Sequence, residues 1–327
     1  MTTIRPVEAV ASEESIELQA HPQTSTRPRL VAPSEVARTD RPSLRVFVRA
    51  CRPRQWSKNL LVLAAPCAAG VIDQPRVAAQ VAGAFVVLCL VSSATYLVND
   101  VRDVEQDRQH PRKRSRPVAS GELSPRLALR AAALLALLGV GGAFAIAPAL
   151  GAVAVGYLLL TASYSLWLRH VVVADMLAIA AGFVLRALAG GAATDIYLSR
   201  WFLIVTASCA VFLVAAKRYA ELREHEGVGP ARATLARYSP FGLRLTLIAA
   251  ASAAGVAYVS WAFSRPAHIV WYVLSAVPFL LWLARYASLV GAGAGQAPEE
   301  LILRDRTLLA LGVVWAFLFL GGVYVGR

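Results

Sequence analysis

Long apolar runs alternate with short charged segments along most of the chain. Most of these runs are about 20 residues long, which is the length of an α-helix that crosses the hydrocarbon core of a bilayer. Runs of this length with few ionisable residues are more typical of membrane spans than of soluble core helices. The pattern predicts nine transmembrane helices, at residues 60–72, 77–98, 127–147, 149–168, 171–190, 201–216, 241–263, 269–289 and 307–325.

The composition agrees with this prediction. Hydrophobic residues make up 57% of the 327-residue chain, and charged residues make up only 16%. These values are typical of a polytopic membrane protein and exclude an ordinary soluble globular domain. The cysteines have no CxxC spacing and the histidines no HExxH pattern, so neither a disulfide framework nor a zinc site is indicated. The predicted fold class is all-α.

Residues 1–43 differ from the rest of the chain. They mix Pro, Ser, Thr, Arg and Glu with few large apolar residues. A segment of this composition buries too little apolar surface to fold, and it lacks the apolar core of a secretory signal. We therefore expect a disordered cytosolic tail, followed by one nine-helix transmembrane domain over residues 44–327.

Basic residues concentrate in every second loop. The opposite loops and the C-terminus hold only Arg76, Arg200, Arg265 and Arg327. Because loops rich in Lys and Arg stay in the cytoplasm, the pattern predicts a plasma-membrane protein whose N-terminus and charged loops are cytoplasmic and whose C-terminus is outside. Every candidate polar site then lies on the cytoplasmic side, and we expect no nucleic-acid partner.

The charged segment after the second run carries the most informative motif. If the helix continues into this segment, its period places four polar residues on one face: Asn99, Asp100, Asp103 and Asp107. Carboxylates at the negative C-terminal end of a helix repel one another unless a cation is bound. Oxygen ligands without His or Cys suit Mg²⁺, which completes its shell with water and substrate phosphates. The motif predicts that the three aspartates are metal-binding and catalytic and that Asn99 binds substrate; a solvated acidic helix end is the alternative.

Basic residues on both sides of this motif are candidates for phosphate binding. Residues 43–59 have the pattern of an amphipathic helix at the membrane surface, and an interfacial anchor accounts for most of their charges. In the loop after the acids, a cluster that only fixes topology is the alternative. The phosphate-binding candidates are Arg54, Lys58 and Asn59 before the first run, and Arg108, Lys113, Arg114 and Arg116 after the acids.

A second polar cluster closes the sixth run and consists of Lys217, Arg218, Tyr219 and Glu221. The first and last of these lie four residues apart, so an ion pair at a helix end explains them as well as a binding site does. Ionisable residues inside membrane helices are functional candidates by default. Asp175 in the fifth run is therefore assigned to substrate binding, whereas Arg186, about three turns beyond Asp175, is expected to be structural. Tyr164 in the fourth run is a further substrate-binding candidate.

The motif NDVRDVEQD, with HPRKRSRPVASGEL shortly after it, resembles the first Asp-rich motif and loop of the UbiA-type intramembrane prenyltransferase superfamily. The resemblance implies nine helices around a central cavity that is open to the cytosol and laterally to lipid. It also implies that Asn99, Asp100, Asp103 and Asp107 hold Mg²⁺ and a diphosphate. The family's second motif has Lys-Asp followed three residues later by Asp, whereas this chain has Arg218 and Glu221 at the two acid positions, which argues against a second full metal site.

Four segments resemble the branch of this superfamily that transfers phosphoribose to a polyprenyl phosphate in actinobacterial cell-wall synthesis. They are RPRQWSKNLLVLAAP at residues 52–66, YLVNDVRDVE at 96–105, AKRYAEL at 216–222 and LRDR at 303–306. This resemblance implies phosphoribosyl diphosphate as donor, a polyprenyl (decaprenyl) phosphate as acceptor and Mg²⁺ as cofactor. It leads us to expect that Lys58, Arg114 and Arg116 bind the donor's phosphates. By the same argument, Lys217, Arg218 and Tyr219 face the acceptor.

Two alternatives stay open from the sequence. One is a prenyltransferase of the same fold, with a prenyl diphosphate as donor and an aromatic or other acceptor. The other is a transporter or a lipid-binding scaffold without chemistry, although the charges lie on one face of the membrane and the sequence has no internal repeat of the kind that transporters show. A homo-oligomer is compatible with each of these functions.

Overall fold

The computed structural model describes residues 43–224, 235–294 and 298–325. All regular elements within these ranges are helices, as the sequence predicts. The α-helices are α1 (Leu44–Ala50), α2 (Ala64–Ala69), α3 (Pro75–Arg102), α4 (Val104–Gln109), α5 (Pro125–Ile146), α6 (Pro148–Leu166), α7 (Val172–Thr194), α8 (Arg200–Glu224), α9 (Pro240–Phe263), α10 (Ile269–Gly291), α11 (Pro298–Arg304) and α12 (Arg306–Tyr324). The predicted tail at residues 1–43 lies outside the described residues, apart from Ser43, whose hydroxyl caps α1.

Eight helices in the described ranges are long and apolar enough to cross a membrane, namely α3, α5, α6, α7, α8, α9, α10 and α12. Large apolar side chains point outward from several of them. Leu137 of α5 is 70% exposed and Val313 of α12 is 68% exposed. Exposed apolar surface of this extent on long helices is suited to contact with lipid. A helix also satisfies its own backbone hydrogen bonds, as a segment that crosses a bilayer must. The prediction of a multi-pass membrane protein is confirmed.

The first predicted span does not form a long α-helix. Residues 60–72 instead contain the end of an 11-residue 3₁₀ helix, Pro53–Leu63, and the six residues of α2. Pro66 lacks a backbone N–H, and Gly70 ends α2 in the left-handed conformation with φ 70°. The 3₁₀ helix lies tightly against α7, since a Cβ built on Gly190 would be 2.0 Å from the carbonyl oxygen of Val62. The count of nine long helices is therefore not met in the described residues.

Each long helix packs against the next one along the chain, and α12 contacts α2 near the start. Small residues allow close approach, as in other membrane bundles. For example, a Cβ on Gly139 of α5 would lie 2.7 Å from the side chain of Val91 in α3. One buried apolar cluster joins α3, α6 and α7, and a second joins α7, α8, α9, α10 and α12. This packing fixes the helix ends that carry the polar residues.

At one side of the bundle, the first turns of some long helices lie beside the last turns of others. The side-chain oxygens of Ser124, Ser239 and Asp305 accept hydrogen bonds from backbone N–H groups in the first turns of α5, α9 and α12. Polar contacts join these starts to the ends of other helices; Asp305, for instance, accepts from Arg285 of α10 at 2.8 Å. We call this side of the bundle, which carries Asp100 and Asp175, the charged end.

Candidate active site

The Asp-rich motif is split between two helices. The prediction of one continuous helix through Asp107 is wrong, since α3 ends at Arg102 and α4 begins at Val104. Asp103 joins them with φ −94° and ψ 14°, outside helical geometry. Backbone hydrogen bonds still cross the break, from Asp103 N–H to Asn99 O and from Asp107 N–H to Asp103 O, both at 2.9 Å. The four polar side chains nevertheless do not all contact the same partner.

Asp100 and Asp107 nevertheless come together and are both buried, at 2% and 3% exposure. Arg116, from the loop after α4, donates Nη1–H to Asp107 Oδ2 at 2.5 Å and to Asp100 Oδ1 at 3.3 Å. Arg52, just before the 3₁₀ helix, also forms an ion pair with Asp100. Two buried carboxylates held by two guanidinium groups form a site in which both signs of charge are available to a ligand.

Arg52 has a strained backbone. Its φ of 56° and ψ of 62° are in the left-handed region, which costs a residue with a Cβ about 1–2 kcal/mol. The same residue places its guanidinium 5.1 Å from the ring centre of Tyr96. Strain of this kind persists where the surroundings impose it and is often found at functional sites.

Asp103 lies apart from the buried pair. Arg169, from the turn between α6 and α7, donates Nη1–H to Asp103 Oδ1 at 3.2 Å and to Oδ2 at 3.3 Å. Asn99 faces α6, where its Oδ1 accepts a 2.7 Å hydrogen bond from the hydroxyl of Ser165. Arg102 donates to the backbone carbonyl of the same serine. The motif therefore contacts α6 and the loop after α4 through different residues.

The part of the chain that the structure describes contains no cluster of three or more His, Cys, Asp or Glu side chains arranged to hold a metal ion. The residues still fit a Mg²⁺ that takes few protein ligands. Asp100 Oδ2 is buried and has no hydrogen-bond partner, and an orphaned buried carboxylate oxygen is costly unless a cation or a donor completes it. Asp107 shares a guanidinium with Asp100, so a metal at Oδ2 has a second carboxylate close by.

The second polar cluster is built around Asp175 in the first turn of α7. Arg218 of α8 forms a bidentate pair with it, through Nε–H to Oδ2 at 2.9 Å and Nη2–H to Oδ1 at 3.0 Å. Tyr164 of α6 donates to Oδ1 at 3.0 Å. Tyr238, before α9, donates to Oδ2 at 3.3 Å. Four elements thus meet at one buried carboxylate.

Tyr238 keeps its proton in this cluster. Burial and the neighbouring Asp175 carboxylate raise the pKa of Tyr238 above its usual range. The hydroxyl therefore stays a donor and also bonds the backbone carbonyl of Val172. It fixes the start of α7 against the segment before α9.

Arg218 also holds Glu221, with Nη1–H donating to Oε2 at 2.6 Å. Lys217 lies at 3.9 Å from the other oxygen of Glu221, so the helix-end ion pair that the spacing indicates does form. Tyr219 is half-buried and accepts a 3.3 Å hydrogen bond from Arg223. The arginine at the position of the family's expected acid is thus the centre of the cluster.

The other basic candidates are placed differently. Asn59 is buried at 1% exposure and bonds Arg186 and Ser92 inside the bundle, away from the exposed loop. Lys58 donates to Gln55 at 2.7 Å. Arg108 donates to Glu105 at 2.7 Å on the surface. Arg54 and Arg114 are exposed, and Lys113 is half-buried.

Sequence reasoning did not select Arg52, Arg169 or Tyr238, each of which contacts a candidate aspartate. Arg52 lies in a segment assigned to the membrane surface, although it opens one of the motifs that carry the family resemblance. Nothing local distinguishes Tyr238, because its contact with Asp175 spans 63 residues. Ser165 was also missed, and it follows Tyr164 directly. Through these two residues, the end of α6 contacts both the Asp-rich motif and the Asp175 cluster.

Comparison with known proteins identifies the family. A model described as the UbiA prenyltransferase family matches residues 60–304. The chain is 43% identical over 288 residues to a decaprenyl-phosphate phosphoribosyltransferase of Corynebacterium glutamicum, over 85% of this chain and 87% of that one. It is 44% identical over 274 residues to a protein of the same name from Mycobacterium tuberculosis, over 82% of this chain and 91% of that one.

The fold agrees with this result. A solved structure of a UbiA homolog from Archaeoglobus fulgidus, bound to GPP and Mg²⁺, superposes with a TM-score of 0.65 at 16% identity. The superposition covers 85% of this chain and 98% of that one. The resemblance that the sequence motifs indicate is confirmed, and the chain belongs to the UbiA prenyltransferase family.

Proposed function

We propose that this protein is a Mg²⁺-dependent phosphoribosyltransferase, which transfers phosphoribose from phosphoribosyl diphosphate to a polyprenyl phosphate such as decaprenyl phosphate and releases diphosphate. The two relatives named decaprenyl-phosphate phosphoribosyltransferase are 43% and 44% identical to this chain over most of both chains. The structural observation that carries the proposal is the pair of buried carboxylates, Asp100 and Asp107, joined by Arg116 at the charged end. The product would be a precursor for cell-wall arabinan.

The donor's diphosphate is proposed to bind at this pair. Asp100 and Asp107 would hold Mg²⁺, with Asp103 within the same segment to complete the site. When bound, Mg²⁺ neutralises charge that develops on the departing diphosphate. Arg52 and Arg116 would exchange their carboxylate partners for diphosphate oxygens, because guanidinium forks bind both kinds of oxygen. Lys58, Arg114 and Asn99 would complete the donor site.

The acceptor is proposed to bind at the second cluster. Arg218 uses three N–H groups for Asp175 and Glu221, and a guanidinium has five. Its two remaining N–H groups and the ammonium of Lys217 are suited to a phosphate monoester. Asp175 and Tyr164 would orient Arg218, and Tyr219 would contact the adjoining prenyl chain.

The reaction needs no general base. A phosphate monoester has a second pKa of about 6 and is largely ionised at cytosolic pH. An oxygen of the acceptor phosphate forms the new bond to C1 of the ribose while the bond from C1 to the diphosphate oxygen breaks. The electron pair leaves with the diphosphate. The protein must hold the anionic donor and the anionic acceptor side by side, and it must supply cations that offset their repulsion.

We also propose that residues 44–327 cross the plasma membrane nine times, with the active site in the cytoplasm and the C-terminus outside. A 3₁₀ helix rises about 2.0 Å per residue and an α-helix about 1.5 Å. The continuous segment Pro53–Leu63 and Ala64–Ala69 is therefore about 30 Å long, close to the thickness of a bilayer core. Its packing against α7 supports a crossing inside the bundle.

The purified full-length chain in detergent tests the function. With Mg²⁺, decaprenyl phosphate and ribose-labelled phosphoribosyl diphosphate, we expect label in the organic phase and release of one diphosphate for each label transferred. Geranyl diphosphate with an aromatic acceptor should give no prenylated product. The reverse pattern would support a prenyltransferase, and the absence of both products would contradict any transferase of this family.

A further inference from the structure

Arg186 is a buried cation in the middle of α7. It is 6% exposed, and a charge inside a membrane helix is costly unless something offsets it. Its three hydrogen bonds go to neutral oxygens: Nε–H to Asn59 Oδ1 at 2.9 Å, Nη1–H to the Gly182 carbonyl at 2.8 Å and Nη2–H to the Tyr157 hydroxyl at 2.6 Å. The guanidinium also lies 4.8 Å from the ring centre of Tyr157. Among the described residues, no carboxylate forms an ion pair with it.

Arg218 provides a comparison within the same bundle. It is equally buried, at 5% exposure, but Asp175 and Glu221 balance its charge. Neutral partners fix the position of Arg186 without cancelling its charge, and two of its five N–H groups are left for another acceptor. A fixed guanidinium with net charge is a binding group for an anion.

The position of Arg186 along α7 shows how far its guanidinium lies from the charged end. Arg186 and Asp175 lie eleven residues apart, which places them on one face of α7. Because Nη1 bonds the Gly182 carbonyl, the guanidinium lies one turn nearer to Asp175 than its own Cα does. The seven residues from Asp175 to Gly182 rise about 10 Å. A Cβ added to Gly182 would meet only the guanidinium within 4 Å, at 3.4 Å, so space remains beside the guanidinium at this glycine.

We infer that Arg186, positioned by Asn59 and Tyr157, binds the 5-phosphate of the donor and thereby selects a phosphoribosyl donor over a prenyl donor. This inference rests on the proposed function. Phosphoribosyl diphosphate carries its two phosphate groups on opposite sides of the ribose. With the diphosphate at the charged end, the rest of the donor points into the bundle, where a second phosphate needs a cation. A prenyl chain in the same place offers Arg186 no acceptor.

Binding measurements on the full-length protein test this assignment without relying on turnover. Arg186→Met should weaken binding of phosphoribosyl diphosphate, measured with Mg²⁺ by isothermal titration calorimetry, about 10-fold to 100-fold, as expected for the loss of a charge-assisted hydrogen bond. Binding of inorganic diphosphate should change less than about 3-fold, since it does not reach Arg186. Ribose 5-phosphate should displace the donor from the wild type and fail to do so from the variant.

Arg200→Met is the matched control, because Arg200 also stacks on a ring, 5.0 Å from the centre of Trp201, but lies at the other end of α8. It should leave both affinities unchanged. If Arg186→Met does not fold, Tyr157→Phe keeps the ring and removes one hydrogen bond, and it should still weaken donor binding severalfold without affecting diphosphate. Equal losses for donor and diphosphate, or no loss of donor binding, would overturn the inference. A wild type that transfers no label would instead refute the proposed function.

Discussion

Asp103 is held by Arg169 and not by the arginines that hold its neighbours, with Arg169 Nη1 at 3.2 and 3.3 Å from its two carboxylate oxygens. Both side chains are about a quarter exposed. In the family motif Asp103 belongs with Asp100 and Asp107. Because its ion pair with Arg169 is partly exposed, replacing Asp103 should affect activity more than stability.

We expect Asp103→Asn to leave the free energy of unfolding within about 1 kcal/mol of the wild type, because partly exposed ion pairs contribute little. Transferase activity should fall at least about 100-fold, because the proposed Mg²⁺ site would lose a carboxylate and the loss of one group that supports transition-state stabilisation costs about 3 kcal/mol. Thermal unfolding and initial rates would measure the two effects. Glu105→Gln, which breaks an exposed pair with Arg108 in the same segment, should change neither. A large loss of stability in Asp103→Asn would contradict the assignment.

Arg116 pairs with two buried carboxylates, and Arg52 pairs with one of them as well. Arg116→Met should lower the unfolding temperature in the absence of Mg²⁺, because it leaves Asp107 without this cation and Asp100 with Arg52 alone. Added Mg²⁺ should raise the unfolding temperature of the variant more than that of the wild type, since the ion would replace the lost charge. Thermal unfolding with and without Mg²⁺ measures this difference. Arg114→Met, in the same loop but exposed, should behave like the wild type, and an equal Mg²⁺ response in all three proteins would rule out a metal at this pair.

Asp175 and Arg218 form the most buried ion pair of the described residues, with side chains 4% and 5% exposed. Arg218→Met should destabilise the protein by about 3–5 kcal/mol, because it leaves Asp175 as an unpaired buried charge. Asp175→Asn should cost less, because Glu221 still pairs with Arg218. The double variant should lose at least about 1 kcal/mol less than the sum of the single losses. Denaturant titrations in detergent would give this coupling energy, and strict additivity would show that the two side chains do not stabilise each other.

Tyr238 makes stability depend on pH in the alkaline range. The folded state holds the phenolic proton more tightly than the unfolded state, because burial and Asp175 raise the pKa of Tyr238. Its contribution is therefore complete below the ordinary tyrosine pKa of about 10 and is lost as the pH rises above that value. Tyr238→Phe should lose stability less steeply than the wild type above about pH 10. Thermal unfolding measured across this range tests it; Tyr197→Phe, at a 92% exposed position, should follow the wild-type curve.

The ninth crossing can be tested by labelling cysteines from one side of the membrane. In a background that lacks the four native cysteines, Ser43→Cys and Gln74→Cys introduce thiols at exposed positions before and after the segment. In intact cells, a membrane-impermeant maleimide should label the cysteine at position 74 and not the one at position 43. In permeabilised cells, the maleimide should label both introduced cysteines. Labelling of the two positions from the same side would mean that the segment does not cross.

The sequence predicted the long helices because each span carries its own signal, an apolar run of sufficient length. It also brought Asp100, Asp107 and Arg116 into one site, since they lie within 17 residues of one another. Local signals could not show the break at Asp103 or the 3₁₀ helix before α2. Both depend on neighbours: Asp103 contacts Arg169 across 66 residues, and Val62 contacts Gly190 of α7.

The partners of the buried charges were also beyond local reasoning. Asp175 was selected as an ionisable residue inside a membrane helix and Arg218 as part of the polar cluster that closes the sixth run. Their pairing across 43 residues follows only from the packing of α7 on α8. Arg186 was expected to be structural because its distance from Asp175 was counted between Cα atoms. The direction of its side chain, toward Gly182, brings the guanidinium a turn closer to the site.

Tyr164 and Ser165 are consecutive on α6, and each touches a different one of the two polar clusters. Because the two residues are adjacent on one helix, a rotation of this helix end would displace both contacts together. A disturbance at one polar cluster is therefore transmitted to the other through a single turn of α6.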